Sequence, residues 1–231
     1  MIKKILWVFL ALIIISMGAF YLYTLDYYRA TGDVETLIAQ SDLKIETLNR
    51  MTIIYPESSN DISKGIIFYP GGKVEANAYL PLLLQLAERG FTSVLIKMPF
   101  NLAVFDANAA DEVIATVKTI GSWSIMGHSL GGAMASSHLE KNADSFENLI
   151  LLAAYPVNDA PVPSLAVYGT NDHVLDLTKV VGATEIVPIE GGNHAYFGNY
   201  GEQEGDGDAT ITWAEQQKIT VDRITEFILK P

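Results

Sequence analysis

From about residue 51 onward, short apolar runs alternate along the chain with longer amphipathic runs. The short runs are rich in β-branched and aromatic residues and predict buried strands, whereas the longer runs repeat apolar residues at helical spacing. Strands are predicted at 51–55, 65–69, 91–98, 123–127, 147–155, 164–169 and, more weakly, 184–190, and helices at 78–90, 107–121, 130–142 and 212–230. This alternation predicts an α/β fold, with helices on both faces of a mostly parallel sheet.

Two of the predicted helices carry end signals. In the first, Pro81 is compatible with the opening turn and Gly90 is a natural stop. In the last, Thr212 can cap the amino terminus, and Glu215 stands three residues on, as in a capping box.

The first 28 residues have a different pattern. Lys3 and Lys4 precede an uncharged run of 21 residues from Ile5 to Leu25, which would span roughly 30 Å as a helix. Aromatic residues lie near both ends of the run, as they do at membrane interfaces. We therefore predict a single-pass transmembrane helix over 1–28, with the lysines cytoplasmic and the rest of the chain outside. The alternative is a signal peptide cleaved near the small-x-small sequence at 16–18.

The remaining chain divides into a connector and one domain. Residues 29–50 are moderately polar and are interpreted as a connector with a short helix within 31–43. Residues 51–231 form the predicted α/β domain. The connection between the strands at 147–155 and 164–169 is too short to hold an inserted cap domain. Any functional site at this end of the sheet should therefore be open or covered only by loops.

Composition excludes several kinds of chemistry. The formal net charge is −12, which disfavours nucleic acid and anionic lipid headgroups as partners. The chain has no cysteine, so disulfides, zinc thiolate sites, iron–sulfur clusters and a thiol nucleophile are excluded.

The sequence Gly127-His128-Ser129-Leu130-Gly131 follows a predicted strand and opens a predicted helix. In this context G-x-S-x-G indicates a sharp, strained turn that exposes a nucleophilic serine, here Ser129. The glycines would relieve clashes at such a turn. The alternative is a glycine-rich contact between strand and helix without chemistry.

A serine nucleophile needs a base, and the chain has four histidines. His128 lies within the turn itself, His138 lies on the following helix, and His173 follows an aspartate. His194 lies in a glycine-rich loop after the last predicted strand. His194 fits the chain order serine, acid, histidine and lies beyond a strand, so it is the predicted base. The alternative is a turn histidine that makes only local hydrogen bonds.

The acid that orients His194 must then lie between Ser129 and His194. Asp172 follows the strand at 164–169 and is the first choice. It could instead serve a turn or a helix cap. Asp176 is the main competitor, and Asp159 in a proline-rich loop has a weaker case.

Two backbone N–H groups are needed to stabilise an oxyanion. The residue after the nucleophile, Leu130, provides one of them. The other is expected from the loop after the strand at 65–69, where Gly72 is the first choice and Lys73 the second. Pro70 in the same loop has no N–H to donate.

Together these features resemble the α/β-hydrolase fold. The phrases "YPGGKVEANAYLPLLLQLAERGF", "GHSLGGAMA" and "EGGNHAYFGNYGEQEGDG" resemble the small dienelactone-hydrolase-like bacterial α/β-hydrolases, over about residues 51–229. The resemblance implies ester hydrolysis through an acyl-enzyme. The dienelactone hydrolases themselves use a cysteine nucleophile, which this chain lacks, so their substrate is not carried over.

The expected function is therefore a membrane-anchored serine hydrolase that acts on a small-molecule or lipid ester without a cofactor. Acyl transfer on the same residues and a non-catalytic binding domain remain alternatives. The acidic loop at 202–208 could hold calcium, but it lacks the spacing of an EF-hand and is expected to be a solvated loop without metal.

Overall fold

The computed structural model describes residues 2–58 and 60–230. The helices are α1 (Ile2–Leu25), α2 (Asp33–Gln40), α3 (Leu80–Glu88), α4 (Ala110–Thr116), α5 (Leu130–Asn142) and α6 (Trp213–Ile228). The strands are β1 (Ile45–Leu48), β2 (Met51–Ile54), β3 (Lys64–Tyr69), β4 (Thr92–Ile96), β5 (Ser122–His128), β6 (Asn148–Leu152), β7 (Ser164–Gly169) and β8 (Glu185–Ile189).

The eight strands form one sheet in the order β1-β2-β4-β3-β5-β6-β7-β8. β1 pairs with β2, and β2 with β4, in antiparallel register, whereas all pairs from β4 through β3 to β8 are parallel. The predicted mostly parallel α/β sheet is confirmed. The carboxyl ends of the parallel strands meet at one edge, which is where ligands bind in such sheets.

Two buried clusters cover the two faces of the sheet. In β3, Ile66 and Phe68 face the cluster formed with α3 and α6, whereas Ile67 and Tyr69 face the cluster formed with α4 and α5. Successive side chains of a strand point to opposite faces, so a strand covered on both faces must be apolar throughout. This explains why β3 appears in the sequence as an unbroken apolar run.

Two elements differ from the sequence prediction. β1 was not predicted, because three of its four residues are exposed at the sheet edge and give no apolar run. It lies inside the predicted connector, which therefore contributes to the sheet. α4 is also shorter than the predicted 107–121, because the backbone of Val117 leaves helical geometry with ψ +85°. The β-branched residues Val113, Ile114 and Thr116 before it have low helix propensity.

The predicted start of α6 is confirmed. Thr212 Oγ1 accepts a hydrogen bond from the Glu215 N–H at 3.2 Å, and Glu215 Oε2 accepts one from the Thr212 N–H at 2.8 Å. This reciprocal pairing satisfies two N–H groups that have no partner inside the helix.

α1 is a 24-residue apolar helix with its side chains almost entirely exposed. Its length and hydropathy suffice to cross a membrane, and a signal sequence has the same properties. The segment after α1 is attached to the domain, because the Tyr28 N–H donates to the Lys73 carbonyl and the Glu75 N–H donates to the Tyr28 carbonyl, both at 2.8 Å. The predicted short helix of the connector is present as α2.

Candidate active site

Ser129 lies at the turn between β5 and α5, at the carboxyl edge of the sheet. Its backbone has φ +50° and ψ −123°, a conformation that residues with a side chain rarely adopt. The Ser129 N–H donates to the Leu152 carbonyl of β6 at 2.9 Å, which helps to hold the turn. Strain of this kind persists only where the surroundings enforce it, and it places the hydroxyl at the amino terminus of α5.

The glycines on either side of Ser129 permit close contact between backbones. A β carbon at Gly127 would lie 2.5 Å from the Gly131 carbonyl group, and one at Gly131 would lie 2.2 Å from the Tyr69 carbonyl oxygen. Neither distance is compatible with a side chain. The pattern G-x-S-x-G is thus required by the packing of α5 against β5 and the end of β3.

Asp172 and His194 form a buried pair beside this turn. Asp172 follows β7 and His194 lies in the loop after β8, and His194 Nδ1 donates to Asp172 Oδ2 at 2.9 Å. The two residues are 4% and 2% exposed. Asp172 Oδ1 accepts from the N–H groups of Val174 and Leu175 at 2.9 and 2.8 Å, so the carboxylate is fixed by three donors. This leaves Nε2 of His194 as the ring nitrogen available for proton transfer.

The loop that carries His194 is held by Asp206, a residue of the acidic loop at 202–208. Asp206 accepts hydrogen bonds from the N–H groups of His194 at 3.2 Å and Ala195 at 2.9 Å. Through these two hydrogen bonds Asp206 has a structural role in the His194 loop. No group of three acidic or histidine side chains suited to a metal occurs within 2–58 and 60–230.

α6 holds the same loop from the other side. Gln216 accepts from the Asn193 N–H at 2.9 Å and donates to the Asn193 carbonyl at 2.8 Å. A β carbon at Gly192 would lie 2.7 Å from Gln216 Oε1, so a glycine is needed for this approach. The carboxyl-terminal helix thus fixes the backbone next to His194.

His128 and Tyr79 connect the loop after β3 to the loop of His194. The Gly71 N–H donates to the Tyr79 hydroxyl at 3.2 Å, the hydroxyl donates to His128 Nδ1 at 2.8 Å, and His128 Nε2 donates to the His194 carbonyl at 3.0 Å. Burial, and secondarily the nearby His194, hold the pKa of His128 well below its usual range, so the ring is neutral as this pattern requires. Burial likewise raises the pKa of Tyr79.

The link that His128 makes between these loops was not predicted from the sequence. The available signal was its position next to Ser129 in the turn between β5 and α5. The partner Tyr79, 49 residues earlier, is placed there only by the fold.

The structure separates the two candidates for the second oxyanion donor. The Lys73 N–H donates to the Asn101 carbonyl at 2.8 Å, and the Gly71 N–H is taken by Tyr79, as above. Among the described residues, the N–H of Gly72 has no acceptor. A β carbon at Gly72 would lie 2.8 Å from the Leu130 side chain, so the two candidate donors are neighbours. Leu130 is the first residue of α5, and its N–H has no partner inside the helix.

Ser129 and His194 both face a cavity of about 310 Å³. Among the described residues, the Ser129 hydroxyl has no hydrogen-bond partner. Residues 153–163 form a short irregular connection between β6 and β7 on one side of the cavity, too short for a cap domain. The apolar residues that line the cavity are Leu130, Ala133, Ala153, Ala154, Tyr155, Val174 and Leu175. A site of this size and lining suits an acyl group or a small ester.

The competing acids and histidines do not pair with the ring of His194, although Asp176 lines the same cavity. Asp176 caps a short 3₁₀ helix by accepting from the Thr178 N–H at 3.2 Å, and its carboxylate is exposed. Asp159 and His173 are exposed. His138 is buried on α5, with its ring 5.7 Å from that of Phe146.

The fold is that of the α/β hydrolases. The chain belongs to the alpha/beta hydrolase family, because the sequence model of that family matches residues 65–218, more than half of the chain. This confirms the resemblance stated from the sequence motifs. No curated protein matches the chain.

Solved structures show the same fold. The dienelactone hydrolase from Anabaena variabilis is 12% identical with a TM-score of 0.60, covering 82% of this chain and 98% of that chain. Est1E from Butyrivibrio proteoclasticus is 14% identical with a TM-score of 0.58, with the same coverage. A predicted CIB-like hydrolase from Thermoplasma acidophilum is 16% identical with a TM-score of 0.57, covering 80% of this chain and 98% of that chain. At such identities the likeness concerns the fold.

Proposed function

We propose that the protein is a serine hydrolase that cleaves carboxylic esters through Ser129, His194 and Asp172. The observation that carries this proposal is the buried 2.9 Å pair of Asp172 and His194, because His194 lines the same cavity as a serine on a strained strand-to-helix turn. Strained backbone of this kind is retained mainly at functional positions.

In the first half of the reaction, Ser129 Oγ attacks the ester carbonyl carbon while His194 Nε2 takes the hydroxyl proton. The carbonyl electron pair moves onto its oxygen, where the N–H groups of Leu130 and Gly72 stabilise the negative charge. When the tetrahedral species collapses, the bond to the alcohol breaks, and the proton on Nε2 passes to the leaving oxygen. Asp172 holds the ring in the tautomer that makes Nε2 basic.

In the second half, a water molecule takes the place of the alcohol. His194 Nε2 accepts a proton from the water as its oxygen attacks the acyl carbon, and the proton returns to Ser129 Oγ as the acyl–serine bond breaks. The products are a carboxylic acid and the free enzyme. No cofactor takes part in these steps.

Labelling with a fluorophosphonate probe tests the proposal. The full-length protein in detergent is expected to form one phosphonyl adduct, on Ser129, because the probe reacts with a serine activated by a neighbouring base. Mass spectrometry of the labelled peptides locates the adduct. Ser137, eight residues further along α5, provides the matched control.

Ser137→Ala should label as the unchanged protein does, whereas Ser129→Ala should not label. Heat-unfolded protein should also fail to react, since the activation depends on the folded site. Folded protein that forms no adduct on Ser129 would contradict the proposal and favour a non-catalytic binding domain.

We further propose that α1 is a membrane anchor and that the hydrolase domain lies on the extracytoplasmic side. The exposed apolar helix of 24 residues and the two lysines before its long apolar run support this arrangement. Protease added to intact cells is expected to digest the domain while a cytoplasmic marker stays intact. Protection of the domain until the cells are permeabilised would contradict the orientation. A mature protein that begins after residue 18 and leaves the membrane would show cleavage instead.

A further inference from the structure

A cluster of exposed apolar side chains lies where α1 meets the loop after β4. We call residues 97–106 the β4 loop. Its Phe100 and Phe105 rings contact each other edge to face with centroids 5.5 Å apart, and both contact Phe20 of α1, at 5.3 and 5.6 Å. Phe100, Val104 and Phe105 nevertheless remain 51%, 48% and 50% exposed. α1 therefore covers only one side of the cluster.

The backbone of the β4 loop is strained where it presents this cluster. Phe100 and Asn101 have φ values of +55° and +54°, in the left-handed region. The Asn101 carbonyl accepts from the Lys73 N–H at 2.8 Å, which helps to fix the conformation. Because Phe100 and Phe105 are half exposed to water, this strained loop gains only part of the free energy that burial of their rings would give. An apolar phase in contact with the loop would supply that burial.

The position of the contact along α1 identifies that phase. α1 is about 36 Å long, slightly more than the roughly 30 Å hydrocarbon core of a bilayer. Phe20 lies five residues, or about 7.5 Å, before the last residue of the helix, Leu25. Side chains that touch Phe20 are therefore level with the outer part of the hydrocarbon core. The ion pair between Asp26 and Lys73, at 2.8 Å, lies just beyond the helix end, where charged groups stay hydrated.

The β4 loop is also a direct neighbour of the candidate oxyanion site. A β carbon at Gly72 would lie 3.6 Å from the side chain of Leu102 and 2.8 Å from that of Leu130. Leu102 belongs to the same loop as Phe100 and Phe105, two and three residues away along the chain. The β4 loop therefore carries the apolar cluster and also borders the candidate oxyanion site.

We propose that the β4 loop is inserted in the bilayer leaflet that holds the carboxyl-terminal end of α1, and that the substrate is an acyl ester resident in that leaflet. The proposal rests on the hydrolase function and the membrane anchor proposed above. The ester carbonyl reaches Ser129 from the membrane side, past Leu102, while its acyl chain remains near the apolar cluster. The net charge of −12 favours an uncharged or zwitterionic lipid.

Depth measurement tests the insertion without reference to catalysis. The chain has no cysteine, so Val104→Cys and Ile219→Cys each accept one environment-sensitive fluorophore. The control, Ile219, is a partly exposed apolar residue on α6. The full-length protein is reconstituted in phosphatidylcholine vesicles whose acyl chains carry bromine near the headgroup. The label at 104 should lose about half of its fluorescence, as expected for insertion by 5–10 Å, and the label at 219 should lose little. Equal quenching of the two labels would overturn the insertion.

Activity tests the substrate class. The rates compared are those on a long-chain diacylglycerol in phosphatidylcholine vesicles and on p-nitrophenyl acetate in water. In the double variant V104S/F105S, the ratio of the first rate to the second should fall about tenfold, equivalent to about 1.4 kcal/mol of lost apolar interaction. Ile219→Ser should leave the ratio unchanged. Loss of both activities in equal proportion would overturn the substrate assignment.

The possible failures can be told apart. An unmodified protein that cleaves the water-soluble ester but not the ester in vesicles retains the hydrolase function and overturns the lipid substrate. A protein that cleaves neither ester overturns the hydrolase function and the substrate class with it, and the quenching result alone then decides whether the β4 loop is inserted.

Discussion

Replacement of Ser129 by alanine is expected to lower kcat/KM for ester hydrolysis by a factor on the order of 10⁴–10⁶. Alanine keeps the β carbon, so the strained turn at φ +50° and the contacts of the flanking glycines are preserved. Only the attacking oxygen is lost. Any residual rate would come from the oxyanion site and substrate binding. The measurement is the initial rate of hydrolysis of p-nitrophenyl butyrate by the full-length protein in detergent.

Ser137→Ala is the control for this loss, because Ser137 lies on the same helix but outside the cavity lining. Its rate should equal that of the unchanged protein, and all three proteins should unfold at similar temperatures. Ester hydrolysis that survives Ser129→Ala within tenfold would exclude Ser129 as the nucleophile.

Replacement of Asp172 by asparagine is expected to lower kcat by about 10⁴. The asparagine oxygen can still accept from the N–H groups of Val174 and Leu175, as Asp172 Oδ1 does. Its amide NH₂ would then face His194 Nδ1, which must become the acceptor. The proton moves to Nε2, where it prevents His194 from acting as the base for Ser129. The loss should therefore appear in kcat, as measured with the same ester.

Asp159→Asn, in the exposed loop between β6 and β7, is the control for the loss of one carboxylate and should keep the full rate. Asp176→Asn is informative because Asp176 is the nearest competing acid in the sequence. It caps a short 3₁₀ helix, and its removal should cost at most about 1 kcal/mol of stability. A 10⁴-fold loss in Asp176→Asn, with Asp172→Asn active, would reassign the acid.

The sequence predicted the elements whose burial leaves a clear pattern. β3 to β7 are apolar on both faces, and their positions follow from that property alone. The amino-terminal end of α6 followed from the capping box of Thr212 and Glu215. β1 was not predicted, because most side chains of this edge strand are exposed and its sequence therefore contains no apolar run. The predicted bounds of α4 were too wide because its β-branched residues give the segment only a weak intrinsic helix propensity, so the sequence does not mark where the helix ends.

The candidate site shows the same division. Ser129, Asp172 and His194 could be chosen because loops after parallel strands converge at one edge of the sheet, and their order along the chain reduced the choices. The pairing of Asp172 with His194 at 2.9 Å, and the engagement of the Lys73 N–H by Asn101, depend on side chains and loops that fold back across the edge. Local sequence patterns do not predict such contacts, because each joins residues that are far apart along the chain.

What the sequence by itself determined are the apolar amino-terminal helix, the α/β class, and the turn that carries Ser129. The helix follows from a long uncharged apolar run, and the α/β class from apolar residues that repeat at the spacing of strands and helices. The turn follows from the local order of glycine and serine after a strand. Only the tertiary structure decided that Tyr79 and His128 link the loop after β3 to the loop of His194. It also placed Phe20 of α1 in contact with Phe100 and Phe105. These contacts join residues 49 to 85 positions apart, and they arise from how the packed elements meet, which no local pattern specifies.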